Sequence, residues 1–120
     1  MGLFGSKNKE DRRAADAAAK AEADRLVALP VPDLAAEILP AFGPDGPGKG
    51  DKEIGTLGIG MFLLRDHPQS SRYVKQLVGP IREGIQALEN EGMIERRVRN
   101  IGGSTVSVTR AGMARIGQNA

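Results

Sequence analysis

The stretch Ile81–Arg97, IREGIQALENEGMIERR, decides the fold of this 120-residue chain. Its first part places three apolar residues at i, i+4 and i+7, which is the spacing of one helix face: Ile81, Ile85 and Leu88. We therefore predict a helix over residues 80–91 with this stripe in the core. Pro80 suits the first turn of such a helix, and Gly92 suits the position just after its last turn.

After Gly92 the pattern changes from helical spacing to the alternation of a strand. Residues 93–99 predict a first strand and residues 104–109 a second, with Asn100-Ile101-Gly102-Gly103 as the turn between them. In the second strand Val106 and Val108 alternate with hydroxyl residues, so both valines are expected to face the core. Thr109 is expected to cap a final short helix over residues 110–116.

Two further helices are predicted before residue 80. Between residues 53 and 66 four apolar residues follow helical spacing, and we expect them to form its buried stripe: Ile54, Leu57, Met61 and Leu64. Gly55, Gly58 and Gly60 weaken this helix by about 1 kcal/mol each relative to alanine, unless close packing requires their small size. A second helix is predicted over residues 70–78, capped by Ser70 or Ser71.

The first 52 residues predict an arm, a short helix and a loop. Residues 1–32 are rich in alanine and charge, and no large apolar residue occurs between Phe4 and Leu26. A helix over residues 9–27 therefore has nothing to bury, and we expect a flexible arm. In the domain 33–120, Asp33 is a plausible cap for a helix over residues 34–39 that Pro40 ends. The Gly- and Pro-rich stretch 43–52 predicts a mobile loop.

The order of three helices and a two-stranded hairpin resembles a winged helix-turn-helix, as found in MarR- and PadR-like transcriptional regulators. In those families a helix ending in Leu-Glu-x-x-Gly precedes an apolar pair and basic residues. The matching residues here are Leu88, Glu89 and Gly92, then Met93 and Ile94, then Arg96 and Arg97. Residues 104–116 similarly resemble the second wing strand leading into a Thr-x-x-Gly helix. The resemblance covers about residues 53–117.

This resemblance implies a fold class and a partner. The expected fold is mainly α with a small β-hairpin (α+β), arranged as a winged helix-turn-helix with a flexible N-terminal arm. The expected partner is double-stranded DNA, contacted by a recognition helix over residues 80–91 and a basic wing over residues 94–109. Such proteins commonly form homodimers that read two half-sites one helical turn apart. The alternative is a winged-helix module that binds another protein and no DNA.

The exposed side of the predicted recognition helix offers groups that read bases. With the apolar stripe buried, Arg82 and Gln86 lie one turn apart on the solvent side. Arginine can bind guanine, and glutamine can bind adenine, through two hydrogen bonds. The same helix carries Glu83, Glu89 and Glu91, which duplex phosphates repel, so a solvated polar face is the competing interpretation.

The predicted wing carries the stronger positive charge. Residues 65–120 contain nine basic and five acidic residues. Within the wing, Arg97 and Arg99 share one strand face, Arg96 takes the other, and Asn100 follows. Arginine at a hairpin tip can contact phosphates or enter a minor groove. The alternative interpretation of these arginines is that their charge keeps an exposed edge strand soluble. In the helix before the recognition helix, Arg72 and Lys75 are candidate phosphate contacts.

Composition argues against several classes of site. The chain has no cysteine, which removes disulfides and thiolate sites, and its single histidine, His67, leaves no His-pair zinc site. The Gly43-x4-Gly48-Lys49 sequence matches most of a P-loop, but Gly50 replaces the Ser or Thr that holds magnesium. We therefore expect no enzyme activity, no catalytic residues, no cofactor and no metal.

No apolar run approaches the roughly 20 residues of a membrane span. We therefore expect a cytoplasmic protein without a membrane span. Eleven arginines against six lysines, with many alanines and glycines, are typical of a GC-rich bacterial genome. A small bacterial transcriptional regulator is thus the leading hypothesis, and the sequence identifies no effector.

Overall fold

The computed structural model describes residues 2–50, 52–67, 72–98 and 104–118. In these ranges the chain forms five α-helices, two short 3-10 helices and one two-stranded antiparallel hairpin, which confirms the α+β class. In chain order the elements are α1 (Gly2–Ala28), α2 (Val31–Ile38), a 3-10 helix (Leu39–Phe42), α3 (Thr56–Leu63), a 3-10 helix (Val74–Leu77), α4 (Val78–Asn90), β1 (Ile94–Val98), β2 (Ser104–Val108) and α5 (Arg110–Gln118).

Helix α4 corresponds to the helix predicted over residues 80–91, and its apolar stripe is buried as expected. It begins at Val78, two residues earlier than predicted, and ends at Asn90. Gly92 follows with a φ of 75°, a left-handed conformation that favours glycine. Gly84 lets α2 approach α4 closely, since a Cβ atom there would lie 2.6 Å from Cδ1 of Ile38.

The two predicted strands form the hairpin. The register pairs Ile94 with Val108 and Arg96 with Val106. Val106 is buried and Val108 packs partly buried against the core, so their predicted orientation is confirmed. Ile54 forms a bridge on the edge of β2 away from β1, with both N–H···O hydrogen bonds to Val106 at 2.9 Å. Residue 99, the last of the predicted first strand, and the predicted turn residues 100–103 lie outside the described residues.

The buried stripe predicted over residues 53–66 is wrong for Leu57 and Met61, whereas Ile54 and Leu64 are buried as expected. Leu57 and Met61 are 57% and 64% exposed, whereas Ile59 and Phe62 pack into the core. One reason is that Ile54 is held in the sheet, so α3 begins only at Thr56.

Gly60 is the second reason why α3 buries Ile59 and Phe62 and leaves Leu57 and Met61 exposed. A Cβ atom at Gly60 would lie 2.9 Å from Cγ1 of Val74, so this side of α3 lies against the 3-10 helix Val74–Leu77. The requirement for a small residue at a close helix contact therefore applies to Gly60. It does not apply to Gly55, which has nothing within 4 Å of a built Cβ.

The helix predicted over residues 70–78 differs from the segment that the structure describes. Both candidate capping serines lie outside the described residues. Val74–Leu77 is a 3-10 helix whose Leu77 is also the N-cap of α4, so no separate three- or four-residue turn lies between the two elements. Val74 and Leu77 are both buried in the core.

Helix α2 begins earlier than predicted, and the chain stays helical for longer. The carbonyl of Pro30 accepts hydrogen bonds from the N–H groups of Asp33 and Leu34, each at 3.0 Å. Asp33 therefore lies inside the first turn of α2 and does not cap it. Pro40 does not end the helical path either, because it lies in the first turn of the 3-10 helix Leu39–Phe42, where a backbone N–H is not needed.

The loop after Phe42 is irregular, as predicted, but its middle packs on the core. Gly48 is buried, and a Cβ atom there would lie 2.7 Å from the ring of Phe42 and 3.1 Å from Cδ1 of Ile54. The N–H of Gly48 donates to the carbonyl of Ala41 at 2.8 Å.

Helix α1 is continuous, and its last turns belong to the core. Ala19, Ala23 and Leu26 have exposures of 0%, 0% and 1%. The prediction that a helix here has nothing to bury is therefore wrong for these turns, because two alanines let the backbone approach the body closely and Leu26 fills the remaining space. Arg25 also ties α1 to α2 by donating two hydrogen bonds to Glu37, at 2.9 and 3.2 Å.

Thr109 caps α5 as predicted. Its Oγ1 accepts a hydrogen bond from the N–H of Gly112 at 3.1 Å, and its hydroxyl donates to the carbonyl of Gly92 at 2.6 Å. The cap thereby joins the start of α5 to the turn between α4 and β1.

Candidate nucleic-acid interface

The exposed side of α4 adjoins the hairpin across a cleft. Ile81, Ile85 and Leu88 are buried and hold α4 against the core, whereas Arg82 and Gln86 are exposed. The first turn of α3, the side of α4 that carries Arg82 and Gln86, and the sheet enclose a cleft of about 520 Å³. The apolar lining residues are Ile54, Leu57, Ile85 and Val106.

Three predicted site residues share this cleft: Arg82, Gln86 and Arg96. None of the described residues that line it is acidic. Arg82 is exposed and has no hydrogen-bond or ion-pair partner among the described residues. The amide of Gln86 donates to Asn90 at 3.0 Å on the same helix. The cleft therefore combines two guanidinium groups and one amide above an apolar floor.

Arg96 reaches the cleft because the register places it on the inward face of the hairpin beside Val106. The Arg96 side chain is too long and too polar to enter the core, so it turns toward α4. There the Nε of Arg96 donates a hydrogen bond to Oε1 of Glu89 at 2.9 Å. The Arg96 side chain is 39% exposed. Surface ion pairs of this kind contribute about 0–1 kcal/mol, so a phosphate can compete with Glu89 for this arginine.

Arg97 lies on the opposite face of β1, as predicted. Its Nε is 3.5 Å from Oε1 of Glu53, and its guanidinium is 3.9 Å from Glu95. Glu53 also accepts a hydrogen bond from the hydroxyl of Thr105 at 3.0 Å. Arg97 is therefore directed toward carboxylates and does not line the cleft. Arg99 and Asn100 lie outside the described residues.

Arg72 and Lys75 lie beside α1 and do not line the cleft. A guanidinium nitrogen of Arg72 is 3.0 Å from Oδ1 of Asp16, and the hydroxyl of Tyr73 donates to Oδ2 of the same carboxylate at 2.7 Å. Lys75 is exposed and has no polar partner among the described residues. The predicted site residues thus fall into separate groups, of which only one forms a concave surface.

We expect the titration of Tyr73 to report whether α1 is docked. Its pKa is raised, chiefly because the phenol donates its proton to Asp16. The hydrogen bond needs the neutral phenol, so its contribution is present below the unfolded pKa of about 10 and is lost as the pH rises through the folded pKa. The chain has one tyrosine and no tryptophan, so the ultraviolet absorbance of the phenolate follows this group alone.

The expected midpoint is above pH 10 in the wild type and moves down toward 10 in Asp16→Ala. Glu10→Ala, on another side of α1, should leave it unchanged. Equal midpoints in the wild type and Asp16→Ala would contradict the contact between α1 and Tyr73.

The sequence interpretation missed several contributors to this region. Thr56 and Leu57 line the cleft, although Leu57 was expected in the core. Glu89 was recognised as an acidic residue of the helix but not as the partner of Arg96. The sequence signal that could have indicated this pair is Gly92, which ends α4. The chain turns there, and β1 then brings Arg96 back to Glu89 of α4.

No group of three or more His, Cys, Asp or Glu residues that could hold a metal occurs among the described residues. No helix in the described ranges is long and apolar enough to cross a membrane. Comparison of the chain with protein-family models, with curated proteins and with solved structures gives no match.

Proposed function

We propose that this protein is a winged helix-turn-helix DNA-binding protein, in which α4 reads bases and the β1–β2 hairpin is the wing. The observation that carries the proposal is the shared cleft, where Arg82 and Gln86 of α4 meet Arg96 of β1 without an acidic residue in the lining. The order of helices followed by a hairpin supports the same fold. Duplex DNA carries dense negative charge, and arginines on adjoining elements are the usual means of holding it.

Each side chain of the cleft has a role that follows from its position. Arg82, near the start of α4, can donate two hydrogen bonds to a guanine, and Gln86, one turn later, can bind an adenine. Arg96 is the phosphate contact, because it comes from the hairpin and not from the helix that enters the groove.

The acidic residues of α4 are compatible with this role. In the free protein Glu89 is paired with Arg96, and a phosphate that takes up this arginine displaces Glu89 at a cost of about 0–1 kcal/mol. Glu83 is exposed, and a carboxylate at the groove can accept a hydrogen bond from the amino group of cytosine. Binding is therefore expected to depend on sequence, since guanine or thymine at that position presents only acceptors to the Glu83 carboxylate.

The proposal places the protein among small bacterial transcriptional regulators of the cytoplasm. Binding as a homodimer to two half-sites one helical turn apart is part of it, because such regulators commonly act in this way.

A protein-binding module is the second candidate function, and one observation favours it. Leu57 and Met61 are more than half exposed on one side of α3, and Leu57 also lines the cleft. Exposed apolar side chains beside a cleft are typical of surfaces that bind other proteins. A partner protein would then occupy the cleft that the leading proposal assigns to DNA.

Fluorescence anisotropy with labelled duplexes across a salt series from about 50 to 200 mM tests the proposal. The wild type should bind random-sequence duplex at the lowest salt. Arg82→Ala should cost about 1–3 kcal/mol on the preferred site and little on other sequences. Arg96→Ala should weaken binding to all duplexes and lower the salt slope by about 0.9.

The matched control is the pair Arg110→Ala and Arg115→Ala on α5. Arg115 lines a separate cavity beside α2, and neither arginine lines the cleft. The control should keep the sequence preference of the wild type. No duplex binding at about 50 mM salt would exclude the DNA proposal and favour the protein-binding module, since non-specific DNA contacts are strongest there.

A further inference from the structure

The N-terminal part of α1 extends the helix beyond the turns that are packed. Buried residues of α1 begin at Ala19, whereas residues 9–14 are all exposed. At 1.5 Å per residue, Lys9 lies about 10 Å further along the axis than Asp16, which contacts Arg72. The helix therefore carries side chains past the 3-10 helix Val74–Leu77 into solvent.

Charges are separated around this exposed segment. With about 100° per residue, Lys9, Arg12 and Arg13 all lie within about 60° of the direction of Asp16. Glu10 and Asp11 lie about 120° and 140° away from it. Asp16 faces Arg72 and Tyr73, so the three cations lie on the side of α1 that faces the body, and the two acids lie on other sides.

The body adds further positive charge beside these three cations. Arg72 and Lys75 are both exposed and lie on either side of Tyr73 and Val74, and the Tyr73 hydroxyl contacts Asp16 of α1. We call the five residues the basic edge: Lys9, Arg12, Arg13, Arg72 and Lys75. Arg72 is paired with Asp16, whereas the other four have no polar partner among the described residues.

We propose that the basic edge is a second contact surface for the phosphate backbone of double-stranded DNA, separate from the cleft. This inference rests on the proposed function, because it takes the partner of the cleft as its own. Between residues 9 and 18 the side chains are charged residues and alanines, so this part of α1 offers charge and no large apolar group. Unpaired cations without apolar neighbours suit a partner recognised by charge alone, and phosphates are such a partner.

Salt-dependent binding of the full-length protein to a labelled duplex of about 24 base pairs tests this surface. The edge variant is Lys9→Gln, Arg12→Gln and Arg13→Gln, since glutamine has a similar helix propensity. Its charge-matched control is Lys52→Gln, Arg110→Gln and Arg115→Gln, which removes three cations outside both surfaces. Circular dichroism checks that α1 remains helical in each variant.

The edge variant should lower the salt slope by about 3 and weaken binding at about 50 mM salt at least tenfold, equally on all sequences. The charge-matched control variant should change the salt slope of DNA binding by less than about one. An edge variant that matches the control, while Arg82→Ala still alters sequence preference, would overturn the inference and leave the proposed function intact. A loss in the edge variant with no effect of the cleft variants would support the edge and contradict the role of the cleft.

Two further results would overturn the inference. One is the absence of wild-type binding to any duplex, which also excludes the proposed function. The other is edge-dependent binding to phosphatidylglycerol vesicles without an edge effect on DNA, which would make a membrane surface the partner.

Discussion

Replacing Leu88 with alanine should lower the free energy of unfolding by about 2–5 kcal/mol, the range for a fully buried leucine. Leu88 is 3% exposed and belongs to the hydrophobic core cluster that joins the helices and the hairpin. Small domains have a total stability of about 5–15 kcal/mol, so this loss is a large share of it. Urea denaturation followed by circular dichroism measures the change as a shift of the midpoint at constant slope.

Leu57→Ala is the matched control, because the same atoms are removed from a side chain that is 57% exposed. Its expected effect is within about 0.5 kcal/mol. Comparing Leu88→Ala with Leu57→Ala therefore tests the core. It also tests whether α3 buries the side that carries Ile59 and Phe62 or the side that carries Leu57. A loss of several kcal/mol for Leu57→Ala would restore the stripe predicted from the sequence and contradict the packing of Ile59 and Phe62.

Replacing Gly112 with alanine should destabilise the protein by about 1–3 kcal/mol, the cost of forcing extra atoms into a packed site. A Cβ atom at Gly112 would collide with the carbonyl oxygen of Met93 and lie 2.6 Å from Cγ2 of Val108. The Met93 carbonyl cannot move freely, because it accepts a hydrogen bond from the N–H of Thr109 at 3.0 Å. The start of α5 is therefore held against the hairpin by a contact that only glycine permits.

Gly117→Ala is the control on the same helix. A Cβ atom there has nothing within 4 Å, so the substitution should stabilise the protein by up to about 1 kcal/mol through helix propensity. Thermal unfolding should thus shift in opposite directions for the two variants. A stabilising effect of both would show that α5 does not pack on the hairpin in solution.

The sequence by itself determined the elements whose signals are local. The stripe Ile81, Ile85 and Leu88 repeats every turn, and Gly92 marks the end of α4, so both the helix and its buried face were predictable. The alternation in residues 104–108 determined the inward face of β2, and Thr109 determined the start of α5. In each case residues within one or two turns of each other carry the information.

Only the tertiary structure decided the features that depend on distant partners. Leu57 and Met61 fit a helical stripe as well as Ile59 and Phe62 do, and the choice was made by Ile54 joining β2 and by Gly60 meeting Val74. Helix α1 packs although no large apolar residue occurs between Phe4 and Leu26, because the body offers a surface that Ala19 and Ala23 can approach closely.

For the candidate site, too, some features follow from the sequence and others only from the tertiary structure. The sequence determined which residues carry positive charge, but not that Arg96 joins Arg82 at the cleft while Arg97 turns toward Glu53 and Arg72 toward Asp16. These contacts join residues up to 56 positions apart, and their attractions are too weak and too numerous to be ranked along the chain. Packing of the apolar residues fixes where the elements lie, and that placement decides which charged side chains come within reach of an opposite charge, as Arg96, Arg97 and Arg72 do, and which do not, as Arg82 does not among the described residues.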